Sequence, residues 1–364
     1  MTESSMRRGR SGNHESWIVD GEACRTFVPA PLPPRPELAL DAALQERLAS
    51  ANLALGRLDG VSVAMPEAFV LPPLLVRKEA VMSSRLEGSR VSLADLLLEE
   101  AGGVPAAPAG DVRQVLRCVV AMETGVARMR QGMPICLRLI DDMHERLMPH
   151  AHGARSSPAH RAGGGLPDLV RFINDDAQRQ PALIKAALAS LQFDAIPARP
   201  GGNGLLGRLL VPLMLVADGV LREPLLPLSL SLDAHRSDYE RLRHDVREHG
   251  DWEAWISFFV AAVEVAALHA VNTALAIRRL FDGDGARLAA LAEDEAMRVH
   301  HLLLSSPVAR AGDIAACLRG TSAVVDRGIA ALASMDIVRT VCGTAGQGIV
   351  VYTAYLDLLN REDP

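Results

Sequence analysis

The sequence predicts a mainly α-helical protein: a helical bundle followed by a C-terminal winged helix-turn-helix. Aromatic residues make up only 4% of the 364 residues, whereas hydrophobic residues, with many Ala and Leu, make up 49%. Apolar residues recur at helical spacing, as at Leu206, Leu209 and Leu213. Two strand-like apolar runs, 337–341 and 348–353, lie near the end of the chain and are typical of a wing. The length suggests two or three domains.

Breaks in the pattern divide the chain into four regions. A Gly- and Pro-rich run at 102–110 predicts a linker, and the Asp-Gly-Asp-Gly run at 282–285 predicts a second boundary. We therefore expect a disordered polar tail (1–16), an N-terminal helical region (17–110), a helical core (111–285) and a winged-helix-like domain (286–364).

The first two helices are predicted near 40–58 and 74–87. Pro72 and Pro73 suit the start of the second helix, and Gly88 suits its end. In the last region, three further helices are predicted near 288–305, 311–318 and 321–334, ahead of the two strands.

A glycine-rich loop at 201–204 leads into another amphipathic helix. Such a junction directs unpaired backbone N–H groups and the positive end of the helix dipole at one point. Its glycines let an anion approach the backbone closely. Asn203 is expected either to cap the helix or to bind the ligand.

The segment 193–210 resembles the signature of the Fic family, His-x-Phe-x-Asp/Glu-Gly-Asn-Gly-Arg-x-x-Arg. Members of this family typically transfer AMP from ATP to a protein hydroxyl. The signature residues retained are Gly202, Asn203, Gly204 and Arg208. The replaced ones are Pro197 for the catalytic His, Arg199 for the Phe, Gly201 for the magnesium-binding carboxylate and Leu205 for the first Arg.

These replacements remove the chemistry that the resemblance implies. Pro197 has no titratable group and cannot be a general base. Gly201 offers no metal ligand and Leu205 no positive charge, so ATP and magnesium are disfavoured as cofactors and no metal site is expected. Arg199 adds a cation beside the loop, which either binds a carboxylate or phosphate or pairs with a neighbouring acid. The loop at 150–165 is also short where family members carry a flap that aligns a protein target.

The segment 77–89 resembles the inhibitory helix of the same family, Ser/Thr-x-x-x-Glu-Gly/Asn. Ser83 and Glu87 are four residues apart and hence on one side of the helix. The resemblance implies that Glu87 pairs with Arg208 and occupies the space of a γ-phosphate. Two interpretations stay open: a ligand-gating pair, or an ordinary ion pair between two helices. Glu87 is also the one evident acid or base near the loop, and so the candidate catalytic residue.

The C-terminal region is expected to serve dimerisation or packing, within a homo-oligomer, and DNA is not an expected partner. The presumed recognition helix, 321–334, carries only Arg327, and the net charge is −6. Five dispersed cysteines without a CxxC motif indicate a reducing cytoplasm. The absence of a signal segment or a long apolar run indicates no membrane partner.

Three functions compete on this evidence. The first is a divergent Fic-fold protein that has lost protein AMPylation and binds a small anionic or nucleotide-like molecule, with or without a different reaction on it. The anion-binding residues would be Gly202, Asn203, Gly204, Arg208 and Arg199. The second is a non-catalytic regulator or scaffold, a pseudoenzyme. The third is residual AMP transfer with an unconventional base.

Overall fold

The computed structural model describes residues 8–19, 22–65, 71–149, 165–175, 180–196, 202–343 and 348–362. Within these residues the fold is mainly α-helical, as predicted. The strands are β1 Gly12–Val19, β2 Glu22–Pro29, β3 Val308–Arg310, β4 Arg339–Cys342 and β5 Gly348–Val351. The first helices are α1 Ala42–Ala64, α2 Leu71–Leu86, α3 Leu93–Glu100, α4 Ala109–Arg130, α5 Leu137–Leu147, α6 Leu166–Ile173, α7 Ala182–Ala195 and α8 Asn203–Ala217. The later helices are α9 Leu228–Ala234, α10 Arg236–His249, α11 Trp252–Ala290, α12 Asp294–Leu302, α13 Ala311–Leu318, α14 Ser322–Ser334 and α15 Thr353–Asn360.

An antiparallel hairpin, β1–β2, opens the described chain, with Gly12 opposite Pro29 and Val19 opposite Glu22. This corrects the polar tail predicted for residues 1–16, because residues 12–16 already belong to β1. Residues 1–7 lie outside the described part. The hairpin is fixed to α10 where the Ser11 backbone N–H donates to the carbonyl of Arg247 at 3.2 Å. Pairing with a partner strand thus orders a segment whose composition alone indicated disorder.

The long helix α11 forms the centre of the core and packs along α1 as well as against α7 and α9. Trp255 is fully buried there, and its indole N–H donates to the carbonyl of Ala187 in α7 at 2.9 Å. By length and composition α11 could span a membrane. However, 56% of its most apolar 18-residue window is buried inside the protein, as expected of a core helix.

The predicted region boundary at 282–285 is not marked by a break in helical structure, because α11 continues through these residues to Ala290. Phe281 and Leu288 on either side are buried. Asp284 between them accepts a bond from the Tyr352 hydroxyl of the C-terminal region. Tertiary packing therefore outweighs the low helix propensity of the two glycines.

The C-terminal region contains a three-stranded antiparallel sheet in the order β3-β5-β4, with α12, α13 and α14 packed together beside it. Val351 of β5 lies opposite both Val308 and Arg339. Helices α13 and α14 fall where they were predicted. The helix expected near 288–305 is divided instead between the end of α11 and α12.

Helix α2 runs from Leu71 to Leu86, close to the predicted 74–87. Pro72 and Pro73 lie in its first turn, where their missing N–H groups cost nothing. Gly88, with φ at 96°, follows its end in the left-handed region. The helix also contacts the C-terminus: the Lys78 ammonium donates to the carbonyl of Leu359 at 2.9 Å. Arg85 pairs with Glu362 at 2.6 Å.

Candidate anion-binding site

The predicted anion loop is described only at its two ends, Ile196 and Gly202. Pro197, Arg199 and Gly201 lie outside the described residues, so the predictions for them stay predictions. Gly202 is the N-cap of α8 and has φ at 78°. A Cβ there would lie 3.2 Å from Cδ2 of Leu147, so both the backbone conformation and the space favour glycine.

Asn203 is the first residue of α8 and does not cap it, since no side chain bonds to the first turn. Its Nδ2 donates instead to the carbonyl of Ile196 at 2.7 Å, which ties together the two ends of the loop. Its Oδ1 is buried and has no hydrogen-bond partner among the described residues. Asn203 therefore braces the loop and still has a free acceptor.

Arg208 lies one turn further along α8 and is only 4% exposed. Its Nε donates to Oγ of Ser83 at 2.8 Å, and its Nη2 donates to the Ser83 carbonyl at 2.9 Å. Nη1 donates to the hydroxyl of Tyr239 at 3.4 Å. Burial opposes the charge of Arg208, but Tyr239 and Glu87 outweigh burial and raise the pKa of the guanidinium above its usual value. The cation is thus fixed in place and permanently charged.

Glu87 follows the last residue of α2, and its Oε1 accepts a bond from Nη2 of Arg208 at 2.8 Å. The structure therefore brings together the two residues of the predicted inhibitory pair. Their exposure differs greatly, because the Glu87 side chain is 45% exposed and that of Arg208 is 4% exposed. The pair has one fixed, buried partner and one at the protein surface.

A second acid–base pair lies beside the first. The carboxylate of Asp194, in the last turn of α7, accepts a bond from the guanidinium of Arg243 in α10. The Arg243 guanidinium lies 5.1 Å from the ring centroid of Tyr239. Burial lowers the pKa of Arg243, and the charge of Glu87 opposes that shift.

Gly204 lies next to charged groups of both pairs. A Cβ on Gly204 would lie 2.7 Å from Oε1 of Glu87, 3.1 Å from Oδ1 of Asp194 and 3.2 Å from Nη1 of Arg208. The first of these distances is too short for a real contact. A glycine at this position therefore lets the charged groups close over the start of α8.

A third acid, Glu79, lies two turns before Glu87 on α2 and is 1% exposed. Its two oxygens accept the backbone N–H of Ser229 at 2.9 Å and the Ser229 hydroxyl at 2.5 Å. Burial raises the pKa of Glu79 to about 7, although both bonds from Ser229 and the charge of Arg208 oppose the shift.

Sequence reasoning did not find Glu79, Asp194, Tyr239 or Arg243. Asp194 lies in the segment that resembles the Fic signature, so its position was a usable signal. Arg243 lies 49 residues further along the chain, and no local pattern indicates its partner. Within the described ranges, no group of three or more His, Cys, Asp or Glu side chains could hold a metal ion.

Comparison with known proteins agrees with this architecture. Residues 45–127 match the family model described as Fic/DOC family N-terminal. The crystal structure of a Fic family protein from Desulfovibrio desulfuricans G20 is similar over 88% of this chain and 99% of that chain, with a TM-score of 0.52 and 14% identity. Fic-1 from C. elegans, amino acids 134–508, is similar over 63% of this chain and 71% of that chain, with a TM-score of 0.51 and 17% identity.

The class of protein follows: the chain has a mainly helical Fic-type fold. The helices that include α2 and most of α4 further match the N-terminal region of the Fic/DOC family. The Fic-type fold that the two sequence motifs predicted is thereby confirmed.

Proposed function

We propose that this Fic-fold protein has lost protein AMPylation and binds a small anionic or nucleotide-like molecule at the start of α8. The observation that carries the proposal is the unequal pair of Arg208 and Glu87. Arg208 is buried and held by Ser83, whereas Glu87 is 45% exposed. An anion from solution can therefore replace the Glu87 carboxylate without moving the cation.

The surroundings of Arg208 favour such an exchange. The first backbone N–H groups of α8 lie at Asn203 and Gly204, and the first turn of any helix leaves such donors without intrahelical acceptors. Those donors and the helix dipole favour a negative group near Gly204. With Arg208 one turn away, the same space offers both a full charge and hydrogen-bond donors.

Catalysis, where it occurs, would differ from AMP transfer. The position of the family base holds Pro197, and ATP with magnesium is disfavoured by the loss of the carboxylate at Gly201. Once displaced from Arg208, the Glu87 carboxylate would be free to act as a general acid or base on the bound molecule. Residual AMP transfer with an unconventional base ranks last.

A non-catalytic regulator is the second candidate, supported by the contact between α2 and the C-terminus. Lys78 and Arg85, on the helix that precedes Glu87, bind the carbonyl of Leu359 and the carboxylate of Glu362. Movement of the C-terminal region would therefore reach Glu87 through α2. In this alternative, occupancy of the anion site is read by the C-terminal region rather than turned over.

For the C-terminal region we propose a winged-helix-like unit that serves packing or homo-oligomer formation rather than DNA binding. Arg327 of α14 is paired with Glu295 at 2.7 Å, so this cation is already neutralised. The dispersed cysteines, of which Cys118, Cys136, Cys317 and Cys342 are free thiols, support a cytoplasmic location. The burial of α11 supports a protein without a membrane partner.

Ligand-induced thermal stabilisation tests the anion site. We expect phosphate, AMP or ADP to raise the melting temperature of the wild type, and Glu87→Gln to increase the affinity about tenfold by removing the competing carboxylate. Arg208→Ala should abolish these shifts. Arg171→Ala, a change at an exposed arginine of α6, is the matched control and should leave them intact. Shifts that survive Arg208→Ala would reject the proposal.

The same protein should transfer no AMP from labelled ATP to itself or to a cell lysate. Pro197→His should not restore transfer, because the signature positions at Gly201 and Leu205 are also replaced. Efficient labelling by the wild type would instead favour the third function.

A further inference from the structure

We propose that Arg243 is a second ligand-binding cation of the anion site and selects a doubly charged group, a phosphomonoester or diphosphate, over a carboxylate or sulfate ester. This inference rests on the proposed function and adds the ligand class to it. It is based on two acid–base pairs that meet near Gly204. The pairs are Glu87 with Arg208 and Asp194 with Arg243.

The two arginines share one aromatic residue. Tyr239 is buried, accepts a bond from Nη1 of Arg208 at 3.4 Å, and has the Arg243 guanidinium 5.1 Å from its ring centroid. Both guanidinium groups therefore contact one side chain, and we expect a single multivalent anion to reach both. A phosphate group offers three oxygens and nearly two charges at neutral pH, which suits two arginines.

The positive charges of Arg208 and Arg243 are balanced by the carboxylates of Glu87 and Asp194. Glu87 acts on Arg243 as well as on Arg208, since its charge opposes the effect of burial on the Arg243 guanidinium. A monoanion that displaced Glu87 would leave Arg243 paired with Asp194. The second charge of a dianion would instead compete with Asp194 for Arg243, and the Asp194 side chain, which is 24% exposed, would be hydrated.

Arg243 is also less constrained than Arg208. Its side chain is 32% exposed, and it lines a cavity of about 300 Å³ together with Asp194 and Trp252. Arg208, in contrast, is locked by Ser83. Arg208 would therefore anchor the anion, while Arg243 would distinguish its charge.

A matched pair of small anions tests the proposal. Methyl phosphate is a dianion at about pH 8, and methyl sulfate has the same shape with a single charge. In Glu87→Gln protein, titration calorimetry should give at least about tenfold tighter binding of methyl phosphate. Adding Arg243→Gln should bring the two affinities to within about twofold, mainly by weakening methyl phosphate. Arg243→Lys should restore part of the preference. Arg241→Gln, two residues away and exposed on α10, should leave it intact.

Asp194→Asn gives a second variant with an effect of the opposite sign. Without its counter-ion, Arg243 should bind methyl phosphate more tightly, whereas Asp194→Asn combined with Arg243→Gln should tighten the binding of both anions to a similar, smaller extent. An unchanged preference in both Arg243→Gln and Asp194→Asn would overturn the role of Arg243. If Arg208→Ala still abolished binding in that case, the proposed function would stand without it. Binding that is unaffected by Arg208→Ala would overturn both.

Discussion

Two glutamates, one in the middle of α2 and one directly after its end, lie in opposite environments. Glu79 is 1% exposed, accepts two hydrogen bonds from Ser229, and has its pKa raised to about 7 by burial. Glu87 is 45% exposed and accepts one bond from Arg208. Arg208 interacts electrostatically with both acids. The first glutamate is fixed inside the protein, whereas the second lies at the surface, where we propose that an anion replaces it.

The two glutamates therefore have different proposed roles: Glu79 stabilises the packing of α2, and Glu87 controls access to Arg208. Ser229 lies in the first turn of α9, so Glu79 joins α2 to that helix through donors that no water can reach. Glu87 closes over a cation that Ser83 already holds in position. A helix that is fixed near its middle and carries a replaceable acid at its end is suited to binding and releasing a ligand without unfolding.

The largest effect is expected from Glu79→Ala. The substitution leaves the N–H and hydroxyl of Ser229 buried without acceptors, which should lower the free energy of unfolding by about 4 kcal/mol. Glu87→Ala should lower it by less than about 1 kcal/mol, because that pair is half exposed and Arg208 keeps its bonds to Ser83. Urea denaturation of both variants at about pH 6 measures the difference.

Glu79→Gln serves as the control for cavity formation, since it keeps the size and one acceptor and should lose less than Glu79→Ala. Equal losses for Glu79→Ala and Glu87→Ala would contradict the division into a fixed and a replaceable acid.

The second prediction concerns pH. Since the folded-state pKa of Glu79 is raised from 4.5 to about 7, the folded protein holds a proton that the unfolded chain has released. The contribution of this group to stability is complete below pH 4.5 and is lost as the pH rises through 7. Across that window, the wild type should lose on the order of 3 kcal/mol relative to Glu79→Gln. Denaturation midpoints at several pH values measure this; parallel curves would show that Glu79 does not titrate in this range.

The sequence predicts those features of the structure that depend on residues close together in the chain. Pro72, Pro73 and Gly88 delimit α2 through backbone preferences that act within a few residues, so the helix was predicted nearly to its ends. The pairing of Glu87 with Arg208 was predicted as well, because each residue lies in a short motif that resembles one family. In both cases the information sits in a continuous segment.

Long-range packing accounts for what the sequence did not predict. Asp194 of α7 meets Arg243 of α10, which lies 49 residues further along the chain and in no recognisable pattern. The glycines at 283 and 285 indicated a break, yet α11 continues through them, and Asp284 between them accepts a bond from Tyr352, 68 residues further along the chain. A position decided by a distant residue carries no local signal.

The smallest effect is expected at the contact between α2 and the C-terminus. Arg85, in the last turn of α2, pairs with Glu362, and its carbonyl accepts a bond from Arg236 at 2.5 Å. Glu362→Gln removes only the first of these contacts, so the end of α2 should loosen while the helix persists. The loss of stability should be about 0.5 kcal/mol, since the pair is partly exposed.

If α2 transmits movement from the C-terminal region, Glu362→Gln should also tighten phosphate binding about twofold, because Glu87 would leave Arg208 more readily. Glu295→Gln, which breaks the exposed pair with Arg327 in the same region, provides a matched control with no path to α2 and should leave the affinity unchanged. Calorimetric titration of the two variants with phosphate distinguishes them. An identical affinity for both would confine control of the anion site to Glu87 itself and would weigh against the regulator alternative.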